Sequence, residues 1–346
     1  MPLKVGIVGC GRIAHKHLEA INSLPELYEL ACICDINSDA MNNFTKLIGR
    51  NKVVKYEQYS EMVKNEKLDL ISICTPSGLH ALHSIEASRY GINVLCEKPV
   101  TTLLDDGYKV IEAFDRSSAD IFVVKQNRLN PTLKKLKKTL NNGRFGSIAL
   151  VTANVFWTRP QEYYESGDGW RGTWEFDGGA IMNQASHYVD LLQWLIGPVE
   201  EVHSYASTIR KIETEDTSVA TFKWRNGAIG SLNVTMRTFP KNLEGSITIL
   251  GDRGTVSIGG VALNEIKLWQ FEDHDDEDDK IFEHNYTSES VYGHGHLEYY
   301  RLLAGQLTNN DGLLPSGREG LKSLELISAI YRSARDKKPV GLPLRM

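Results

Sequence analysis

The sequence predicts an α/β protein whose first part forms a doubly wound parallel sheet and whose second part forms an α+β domain with a mainly antiparallel sheet. Up to residue 124, short apolar runs alternate with helical patterns, which is typical of βαβ units. Further on, strand-like runs are joined by short turns such as Arg225-Asn226-Gly227, which is typical of hairpins. A length of 346 residues also favours more than one hydrophobic core. We therefore expect two domains, residues 1–124 and 125–346.

Charge and cysteine content narrow the class of protein. The formal net charge of −5 is spread along the chain without a basic run, so neither nucleic acid nor a membrane is an expected partner. No run of about eighteen apolar residues marks a signal peptide or a membrane span. The five cysteines are odd in number and form no CxxC pair, which indicates reduced thiols. These features predict a cytoplasmic protein that acts on small molecules.

The chain opens on an apolar strand, residues 4–8, that leads at once into Gly9-Cys10-Gly11-Arg12-Ile13-Ala14 and a helix. This is the G-x-G-x-x-A pattern in the strand–turn–helix context of a dinucleotide site. The first glycine permits a tight turn, the second lets a pyrophosphate approach backbone N–H groups, and the small third residue lets helix and strand pack closely. We expect Gly9, Gly11, Arg12 and Ile13 to line the cofactor.

Asp35 follows the second strand, residues 30–34. A carboxylate in this position accepts hydrogen bonds from ribose hydroxyls and repels a 2′-phosphate, so NAD is favoured over NADP. Arg12 works against this inference, because an arginine near the adenine end also pairs with a 2′-phosphate. With Asp35 present, we expect Arg12 to make a pyrophosphate or surface contact.

The next repeats place two turns at the carboxyl ends of strands. Residues 68–74 lead into Thr75-Pro76-Ser77-Gly78-Leu79-His80, and residues 91–96 lead into Glu97-Lys98-Pro99. A further helix and strand complete the first domain. In open α/β sheets ligands bind outside the carboxyl ends of the strands, so Lys98 is expected where cofactor and substrate meet. The alternative is a surface lysine in a turn.

The second part contains a basic helix at 131–140, a strand at 147–157 and a closing amphipathic helix at 321–335. Further strand-like runs lie at residues 202–209, 217–224, 228–238, 245–250, 254–258 and 266–270. The acidic run 272–279 lacks the glycine and spacing of a calcium loop, so we expect a solvated loop. One face of such a sheet covers its own helices and the other is commonly left for another subunit. We expect a homo-oligomer, a dimer or tetramer formed through this sheet.

A second group of polar residues lies on a helix predicted to begin after Gly178-Gly179 and to end at Gly197-Pro198. Asn183, His187 and Asp190 are spaced i, i+4, i+7, which places them on one face. A neutral His187 can take a proton from a substrate hydroxyl, and Asp190 can orient its ring. The alternative is a histidine that only hydrogen-bonds within a packing surface.

Together these motifs resemble the Gfo/Idh/MocA oxidoreductase family over nearly the whole chain. The shared residues are Gly9-x-Gly11-x-x-Ala14, Asp35, Thr75-Pro76-Ser77-x-x-His80, Glu97-Lys98-Pro99, and Gly178-Gly179 leading to His187-x-x-Asp190. The resemblance implies a Rossmann domain followed by an open-faced sheet domain, nicotinamide-dependent redox chemistry at a sugar or cyclitol carbinol, and active-site roles for Lys98 and His187. It also implies cofactor contacts from Thr75, Ser77, His80, Glu97, Lys98 and Gln126.

Asn183 departs from the family pattern, because many members carry aspartate there. The missing carboxylate weakens an acid–base role for Asn183 and reduces repulsion of an anionic substrate. Other details are similar to one subgroup, the bacterial UDP-N-acetylglucosaminuronate 3-dehydrogenases of surface polysaccharide (lipopolysaccharide) biosynthesis. The shared details are Gln126-Asn127-Arg128-x-Asn130-Pro131, Phe156-Trp157-x-Arg159-Pro160-Gln161-x-Tyr163-Tyr164, Gly169-Trp170-Arg171-Gly172-Thr173-Trp174, Met182-Asn183-Gln184-Ala185-Ser186-His187 and Tyr292-Gly293-His294-Gly295-His296.

The residues of these motifs suit a UDP-sugar acid as the small-molecule substrate. Arg128, Arg159 and Arg171 offer planar forks for a uronate carboxylate or a diphosphate. The aromatic rings that can stack on sugar or uracil are Trp157, Tyr163 and Trp170. An interface or a packed loop is the alternative, since both residue types are enriched there too.

The leading hypothesis is NAD-dependent oxidation of the C3 hydroxyl of UDP-N-acetylglucosaminuronic acid to the 3-keto sugar. His187 would act as the base, Lys98 would hydrogen-bond the reacting oxygen and Asn183 would position the hydroxyl, with Lys98 as the competing base. The alternatives are a dehydrogenase of a free sugar or inositol and a non-catalytic NAD-binding regulator. His294 and His296 lack supporting ligands nearby in the sequence, so no metal is predicted.

Overall fold

The computed structural model describes residues 1–48, 53–166, 169–288, 295–309 and 314–344. The chain divides into two compact units. The first comprises Met1–Val124 and His296–Leu324, and the second comprises Lys125–Gly295 and Glu325–Met346. The boundary after Val124 coincides with the predicted end of the first domain, and the chain returns to the first unit for one later segment. The division of cofactor and substrate binding between two domains stays a prediction.

Six strands form the sheet of the first unit. They are β1 (Leu3–Val8), β2 (Tyr28–Cys34), β3 (Val54–Tyr56), β4 (Leu70–Ile73), β5 (Asn93–Cys96) and β6 (Ile121–Val123). Every pairing is parallel and the strand order is β3-β2-β1-β4-β5-β6. All residues of β4 and β6 are buried, as expected for a sheet covered on both faces. The doubly wound parallel sheet predicted from the alternating pattern is confirmed.

Helices connect these strands and bury one apolar stripe each. They are α1 (Ala14–Asn22), α2 (Ser38–Ile48), α3 (Tyr59–Asn65), α4 (His80–Arg89) and α5 (Leu104–Asp115). In α5, Val110, Ile111 and Phe114 are buried at spacings of one helical turn. Asp105 and Asp106 lie in its first turn, where their charges favour the positive end of the helix dipole.

The second unit is built on an eight-stranded sheet. Its strands are β7 (Ile148–Phe156), β8 (Val199–Ser207), β9 (Thr217–Trp224), β10 (Ile229–Thr235), β11 (Glu244–Gly251), β12 (Gly254–Gly259), β13 (Glu265–Phe271) and β14 (Val340–Gly341). The order is β13-β12-β11-β7-β10-β9-β8-β14, and all pairs are antiparallel except β7 with β10. The predicted mainly antiparallel sheet is confirmed. In β9, buried residues alternate with more exposed ones, so one sheet face is covered and the other is open.

The polar helix predicted from Gly178 to Gly197 is divided in two. A π-helical turn, Ala180–Gln184, comes first, and the regular helix α8 (Ser186–Ile196) follows it. Two helices, α6 (Pro131–Asn141) and α7 (Gln161–Glu165), lie earlier in the unit. The prediction of one continuous helix is wrong. The regular i, i+4 spacing expected between Asn183, in the π-helical turn, and His187, in α8, is wrong for the same reason. The cause lies at Gly179, where a Cβ would come within 1.5 Å of the buried Glu215 carboxylate. The chain bends around that carboxylate before regular α-helix begins.

The acidic run at 272–279 is also more ordered than predicted. It leads into a 3-10 helix, Asp276–His284. The Asp278 carboxylate accepts hydrogen bonds from Arg144 at 2.7 and 2.9 Å and from the Trp269 indole at 2.7 Å. The Arg144 guanidinium lowers the pKa of Asp278 to about 2. Most side chains of the run are exposed, as expected, but the loop is wrong from Asp276 onwards, where the 3-10 helix begins and Asp278 has a distant arginine partner that composition does not reveal.

Two helices near the end of the chain complete the fold, α9 (Gly295–Asn309) and α10 (Gly317–Asp336). In the first unit, the Tyr299 hydroxyl donates to the Val123 carbonyl at 2.7 Å, and Tyr28 donates to the Tyr300 carbonyl at 2.7 Å. Both tyrosines of α9 are fully buried. The segment His296–Leu324 is thus part of the core of the first unit. Among the described residues, no helix combines the length and apolarity that crossing a membrane requires.

Candidate active site

The predicted cofactor residues of the first unit all follow the carboxyl ends of strands. Gly9–Ile13 follow β1, Asp35 follows β2, Thr75 and Ser77 follow β4, and Glu97-Lys98 follow β5. Strands β1 and β4 are neighbours in the sheet, although β2 and β3 come between them in the sequence. This reversal of strand order creates the crevice in which doubly wound folds bind their ligands.

The glycine loop after β1 has the shape that a dinucleotide needs. Gly9 has φ +88°, and a Cβ there would lie 2.7 Å from the backbone of Cys74. No other residue type fits this close approach of the two strand ends. At Gly11, by contrast, a Cβ would meet no atom within 4 Å. The open space beside Gly11 and the start of α1 fit a pyrophosphate at a helix N-terminus.

Asp35 is held by the same loop. Its Oδ2 accepts the Cys10 N–H at 2.7 Å and its Oδ1 accepts the Asn37 N–H at 2.8 Å. Each carboxylate oxygen carries a further lone pair, so both can still accept a ribose hydroxyl. Arg12 is exposed on the same loop. The residues present therefore fit a dinucleotide with a free 2′-hydroxyl.

His80 lies inside the first unit and joins two of the strand-end turns. Its Nδ1 lies 2.7 Å from the Pro99 carbonyl oxygen and its Nε2 lies 3.0 Å from the Thr75 carbonyl oxygen. The side chain is 1% exposed, and burial lowers the pKa of His80. A neutral imidazole has one N–H, so His80 donates to one of these two carbonyls while its ring lies between the turn that carries Lys98 and the turn that carries Thr75.

Glu97, the residue before Lys98, is buried against two histidines. Its Oε1 lies 3.0 Å from His17 Nε2 and 3.6 Å from His296 Nε2, and its Oε2 accepts the Lys98 N–H at 3.2 Å. Although burial opposes ionisation, these histidine contacts hold the pKa of Glu97 well below its usual range, while burial lowers the pKa of His17. His17 Nδ1 in turn contacts the Tyr300 hydroxyl at 2.8 Å. The Glu97 side chain faces the interior of the unit, which leaves its backbone for a cofactor contact.

Among the described residues, His17, Glu97 and His296 form the one group of three side chains that could hold a metal ion. The ligand atoms of His17, Glu97 and His296 lie within 4.8 Å of one another. Sequence reasoning found no supporting ligands for His296 because they lie on distant parts of the chain. His294, considered with it, falls outside the described residues. The hydrogen bond between neutral His17 and ionised Glu97 accounts for their geometry.

In the second unit, His187 lies near the start of α8 and is half-buried. Its Nε2 lies 3.4 Å from the Gln126 side-chain nitrogen. The amide nitrogen can only donate, and the role of the ring nitrogen in this contact depends on the tautomer of His187. Gln126 is itself buried, and its Oε1 has no hydrogen-bond partner among the described residues. A buried acceptor of this kind fits an amide donor such as a carboxamide.

Asp190, one helical turn after His187, is engaged by cations. Its oxygens accept from Arg128 Nε and Nη2 at 2.8 and 2.7 Å, and Lys125 Nζ lies 3.3 Å away. The Nε and Nη2 edge of the Arg128 guanidinium is thus occupied by Asp190, and the predicted substrate contact from Arg128 stays a prediction. The orientation of His187 by Asp190 stays a prediction.

Three predicted substrate residues come together in the second unit. The Arg159 guanidinium lies 5.5 Å from the centre of the Tyr163 ring, and that of Arg171 lies 4.9 Å from it. Arg159 also lies over Trp157, and Arg171 lies over Trp170. Arg171 Nε is buried without a hydrogen-bond partner in the described parts of the chain. A buried unpaired donor on a positively charged group is the kind of atom that an anionic ligand satisfies.

Sequence reasoning missed the residues that hold Asn183. The Asp177 carboxylate, 2% exposed, accepts the Gly172 N–H at 2.7 Å and also accepts from the Asn183 side-chain nitrogen. Glu215 accepts the Ile181 N–H at 2.8 Å. In the sequence, only the glycine pair at 178–179 indicates an unusual backbone conformation in this segment. The two carboxylates lie outside every motif and could be found only from coordinates.

Comparisons with known proteins extend these observations. The chain is 50% identical to the WlbA dehydrogenase of Bordetella pertussis, solved with NADH and UDP-GlcNAcA, with 99% of both chains covered and a TM-score of 0.95. It is 48% identical to the WlbA dehydrogenase of Chromobacterium violaceum, solved with the same two molecules, with 100% and 97% covered and a TM-score of 0.94. It is 23% identical to the myo-inositol 2-dehydrogenase of Thermotoga maritima over 98% of each chain.

Two family descriptions match along the chain. Residues 3–125 match the NAD-binding Rossmann fold of an oxidoreductase family, and residues 137–342 match the C-terminal alpha/beta domain of the same family. The resemblance inferred from the motifs and the predicted NAD cofactor are therefore confirmed. The chain belongs to the Gfo/Idh/MocA family of oxidoreductases, with an NAD-binding Rossmann domain.

Proposed function

We propose that this protein is an NAD-dependent dehydrogenase that oxidises the C3 hydroxyl of UDP-N-acetylglucosaminuronic acid (UDP-GlcNAcA) to the 3-keto sugar. The observation that carries the proposal is the 50% identity, over 99% of both chains, to a dehydrogenase that binds NADH and UDP-GlcNAcA. At this level of similarity over the full length, a shared ligand set is the simplest expectation. The resemblance of the motifs to the UDP-N-acetylglucosaminuronate 3-dehydrogenases implies the same substrate.

The cofactor is held by the strand-end residues of the first unit. Gly9 permits the tight turn, with its own N–H donated to the Cys34 carbonyl at 2.8 Å. Gly11 leaves open space for the pyrophosphate next to Ile13, and Asp35 accepts the ribose hydroxyls. Arg12 makes a peripheral phosphate contact. The remaining predicted cofactor contacts come from Thr75, Ser77, His80, Glu97, Lys98 and Gln126. The bound NAD supplies the chemistry of a hydride acceptor at the carbinol carbon.

Three side chains perform the proton chemistry. His187 takes the proton of the hydroxyl as general base. Lys98 donates a hydrogen bond to the reacting oxygen and stabilises the negative charge that develops there. Asn183 positions the hydroxyl.

The anionic part of the substrate is recognised by the cluster of Arg159, Tyr163 and Arg171. Two guanidinium groups flank one aromatic ring, and the buried Nε of Arg171 is available to a carboxylate or phosphate oxygen. Arg128, whose charge is paired with the Asp190 carboxylate, is a further predicted substrate contact. The positive charges of Arg159 and Arg171 favour a UDP-sugar acid over a neutral sugar.

A substrate panel tests the proposal. The purified protein is incubated with NAD and, in separate reactions, UDP-GlcNAcA, UDP-GlcNAc, free sugars and myo-inositol, and NADH is followed at 340 nm as in a standard assay. We expect turnover with UDP-GlcNAcA only. Turnover with free sugars or inositol alone would favour the alternative suggested by the myo-inositol 2-dehydrogenase relative. NAD binding without any oxidation would favour a non-catalytic regulator.

Variants separate the two candidate bases. His187→Ala should lower the rate of single-turnover hydride transfer by about 10²–10⁴-fold and remove the acidic limb of its pH profile. Lys98→Ala should also lower the rate but leave that limb in place. If His187→Ala keeps both rate and profile, Lys98 is the base.

We further propose a role in the synthesis of amino-uronate sugars for surface polysaccharide, in the cytoplasm, by a homo-oligomer. The location rests on the five buried thiols, because burial raises the pKa of Cys10, Cys32 and Cys34 to about 12 and such thiols stay unreactive. The assembly rests on apolar side chains on the open sheet face. They are Leu150, Tyr205, Val219 and Ile229.

A further inference from the structure

Asp177 is a buried acid beside a residue of the proposed site. Its backbone N–H donates to the Thr173 carbonyl at 3.2 Å, which closes a turn just before the Gly178-Gly179 pair. One carboxylate oxygen accepts the Gly172 N–H at 2.7 Å, and the other accepts from Asn183 Nδ2. The carboxylate therefore links the turn to the π-helical segment that carries Asn183.

The backbone around Asn183 is fixed as well. Its N–H donates to the Gly179 carbonyl at 2.9 Å, and the preceding N–H groups of Ile181 and Met182 donate to Glu215 and to the Tyr331 hydroxyl at 2.8 and 3.1 Å. With the backbone held in this way, the remaining freedom of Asn183 is rotation of its side-chain amide. The two ends of an amide have nearly the same shape and differ in hydrogen-bonding character.

An ionised carboxylate accepts hydrogen bonds and does not donate them. Asn183 must therefore turn its Nδ2 toward Asp177, and its Oδ1 then faces away from that carboxylate. The orientation is set by charge and not by shape, so it would reverse if the neighbour became a donor. Asp177 thus favours the orientation in which Asn183 presents an acceptor to a ligand.

We propose that Asp177 is a positioning residue that locks the Asn183 amide so that its Oδ1 accepts a hydrogen bond from a ring hydroxyl of the substrate. This inference rests on the proposed function, because it assigns a recognition partner within that site. It also explains why asparagine is suited to position 183 in this chain. An aspartate there would face the Asp177 carboxylate, and two adjacent carboxylates cannot both ionise without a large cost.

The isosteric variant Asp177→Asn tests whether Asp177 fixes the orientation of the Asn183 amide. The Oδ1 of the new asparagine can keep the Gly172 hydrogen bond, so its Nδ2 faces Asn183 and forces that amide to turn over. Asn183 then presents NH₂ groups to the substrate hydroxyl. We expect kcat/KM for the substrate to fall roughly tenfold to hundredfold, with unchanged affinity for NADH. Binding of UDP-GlcNAcA, measured by titration calorimetry in the presence of NADH, should weaken together with kcat/KM.

The double variant Asp177→Asn/Asn183→Asp restores the acceptor. The amide of residue 177 donates to the new carboxylate, whose other oxygen faces the substrate. We expect it to recover at least tenfold in kcat/KM over either single variant and to show a new acidic limb in its pH profile. A structural role alone would not produce this recovery.

Two results would contradict the proposed role of Asp177 in orienting Asn183. One is wild-type substrate affinity and kcat/KM in Asp177→Asn, and the other is a double variant no better than Asn183→Asp. Failure of the proposed function is a separate result, because it appears in the wild type as an absence of UDP-GlcNAcA turnover and binding. In that case the same three variants are compared with whichever substrate of the panel the wild type oxidises.

Discussion

His80 illustrates how a residue of the predicted cofactor set can act through the backbone. The sequence placed it after a strand in the family motif, where a direct contact with the cofactor was the natural expectation. Its ring is buried between the carbonyl oxygens of Thr75 and Pro99, and the cofactor contact stays a prediction. Through Pro99, His80 also bears on the position of Lys98.

We predict that His80→Ala lowers the free energy of unfolding by about 2–4 kcal/mol, because it removes a buried side chain and its hydrogen bonds. The loosened turn should also lower kcat/KM more than tenfold. His274→Ala, at a side chain that is 64% exposed, is the matched control and should change stability by less than about 0.5 kcal/mol. Urea denaturation and steady-state kinetics measure both effects. Wild-type kinetics in His80→Ala would show that its ring does not hold the Lys98 turn.

The residues that bear a recognisable motif could be predicted, whereas their buried partners could not. Gly9, Asp35, Lys98 and His187 belong to short patterns whose chemistry follows from local sequence. His17 and Asp177 have no such pattern, because their roles arise from neighbours brought close only by folding. Contacts between residues that are far apart along the chain form only on folding, so local sequence patterns do not reveal them.

At the scale of elements, the π-helical segment depends on a buried acid. Glu215 accepts the Ile181 N–H at 2.8 Å and the Tyr331 hydroxyl at 3.1 Å, and its Oε2 has no hydrogen-bond partner among the described residues. Burial raises the pKa of Glu215 from 4.5 to about 7. The ordering of the segment that carries Asn183 is therefore coupled to the protonation of this side chain.

This coupling has a defined sign. Between pH 4.5 and about 7 the folded state keeps the Glu215 proton while the unfolded chain has lost it, so stability falls as the pH rises through this window. We predict that Glu215→Gln removes this dependence. From pH 4.5 to 8 the free energy of unfolding of the variant should gain about 3 kcal/mol relative to wild type. Chemical denaturation at several pH values measures it.

The exposed neighbour Glu213 supplies the control for this measurement. Glu213→Gln changes the same functional group on the surface, so its difference from wild type should stay constant with pH to within about 0.5 kcal/mol. A constant difference for Glu215→Gln as well would contradict the coupling of the buried acid to the fold.

Element types followed from the sequence better than their boundaries. Strands β1, β2 and β4 were found because apolar runs followed by turn residues are unambiguous in a parallel sheet. The break at Ala185 was not found, since apolar periodicity continues through it. The Glu215 carboxylate, which lies against Gly179 and accepts the Ile181 N–H, holds the segment that precedes the regular helix.

At the scale of the whole molecule, the open face of the second sheet has a consequence for assembly. Ile229 on β10 pairs with Leu150 on β7, and Tyr205 on β8 pairs with Val219 on β9. All four side chains are exposed, and that of Ile229 is 56% exposed. Two exposed apolar pairs on one open sheet face are typical of an interface between subunits.

We predict that Ile229→Lys dissociates the oligomer, because a buried lysine without a partner costs several kcal/mol. The wild type should have the mass of a dimer or tetramer by light scattering after gel filtration, and the variant that of a monomer. Leu82→Lys is the control, since this exposed apolar residue, 61% exposed, lies on α4 in the first unit. A monomeric wild type, or a variant that keeps the mass of the assembly, would contradict the assignment of this face.

The two-part architecture and the family followed from the sequence, because strand alternation and motif order extend over the whole chain. The return of His296–Leu324 to the first unit did not, since it depends on where α9 and α10 pack. The choice of substrate rests on the Arg159, Tyr163 and Arg171 cluster together with the WlbA neighbours. That choice is the central claim to be tested.

Transfer of an isotope from the substrate tests this claim most directly. UDP-GlcNAcA carrying deuterium at C3 is incubated with the wild-type protein and NAD, and the reduced cofactor is analysed by mass spectrometry. We predict one deuterium in each NADH formed and a 3-keto sugar nucleotide as the other product. NADH without deuterium, or no NADH at all, would contradict the account.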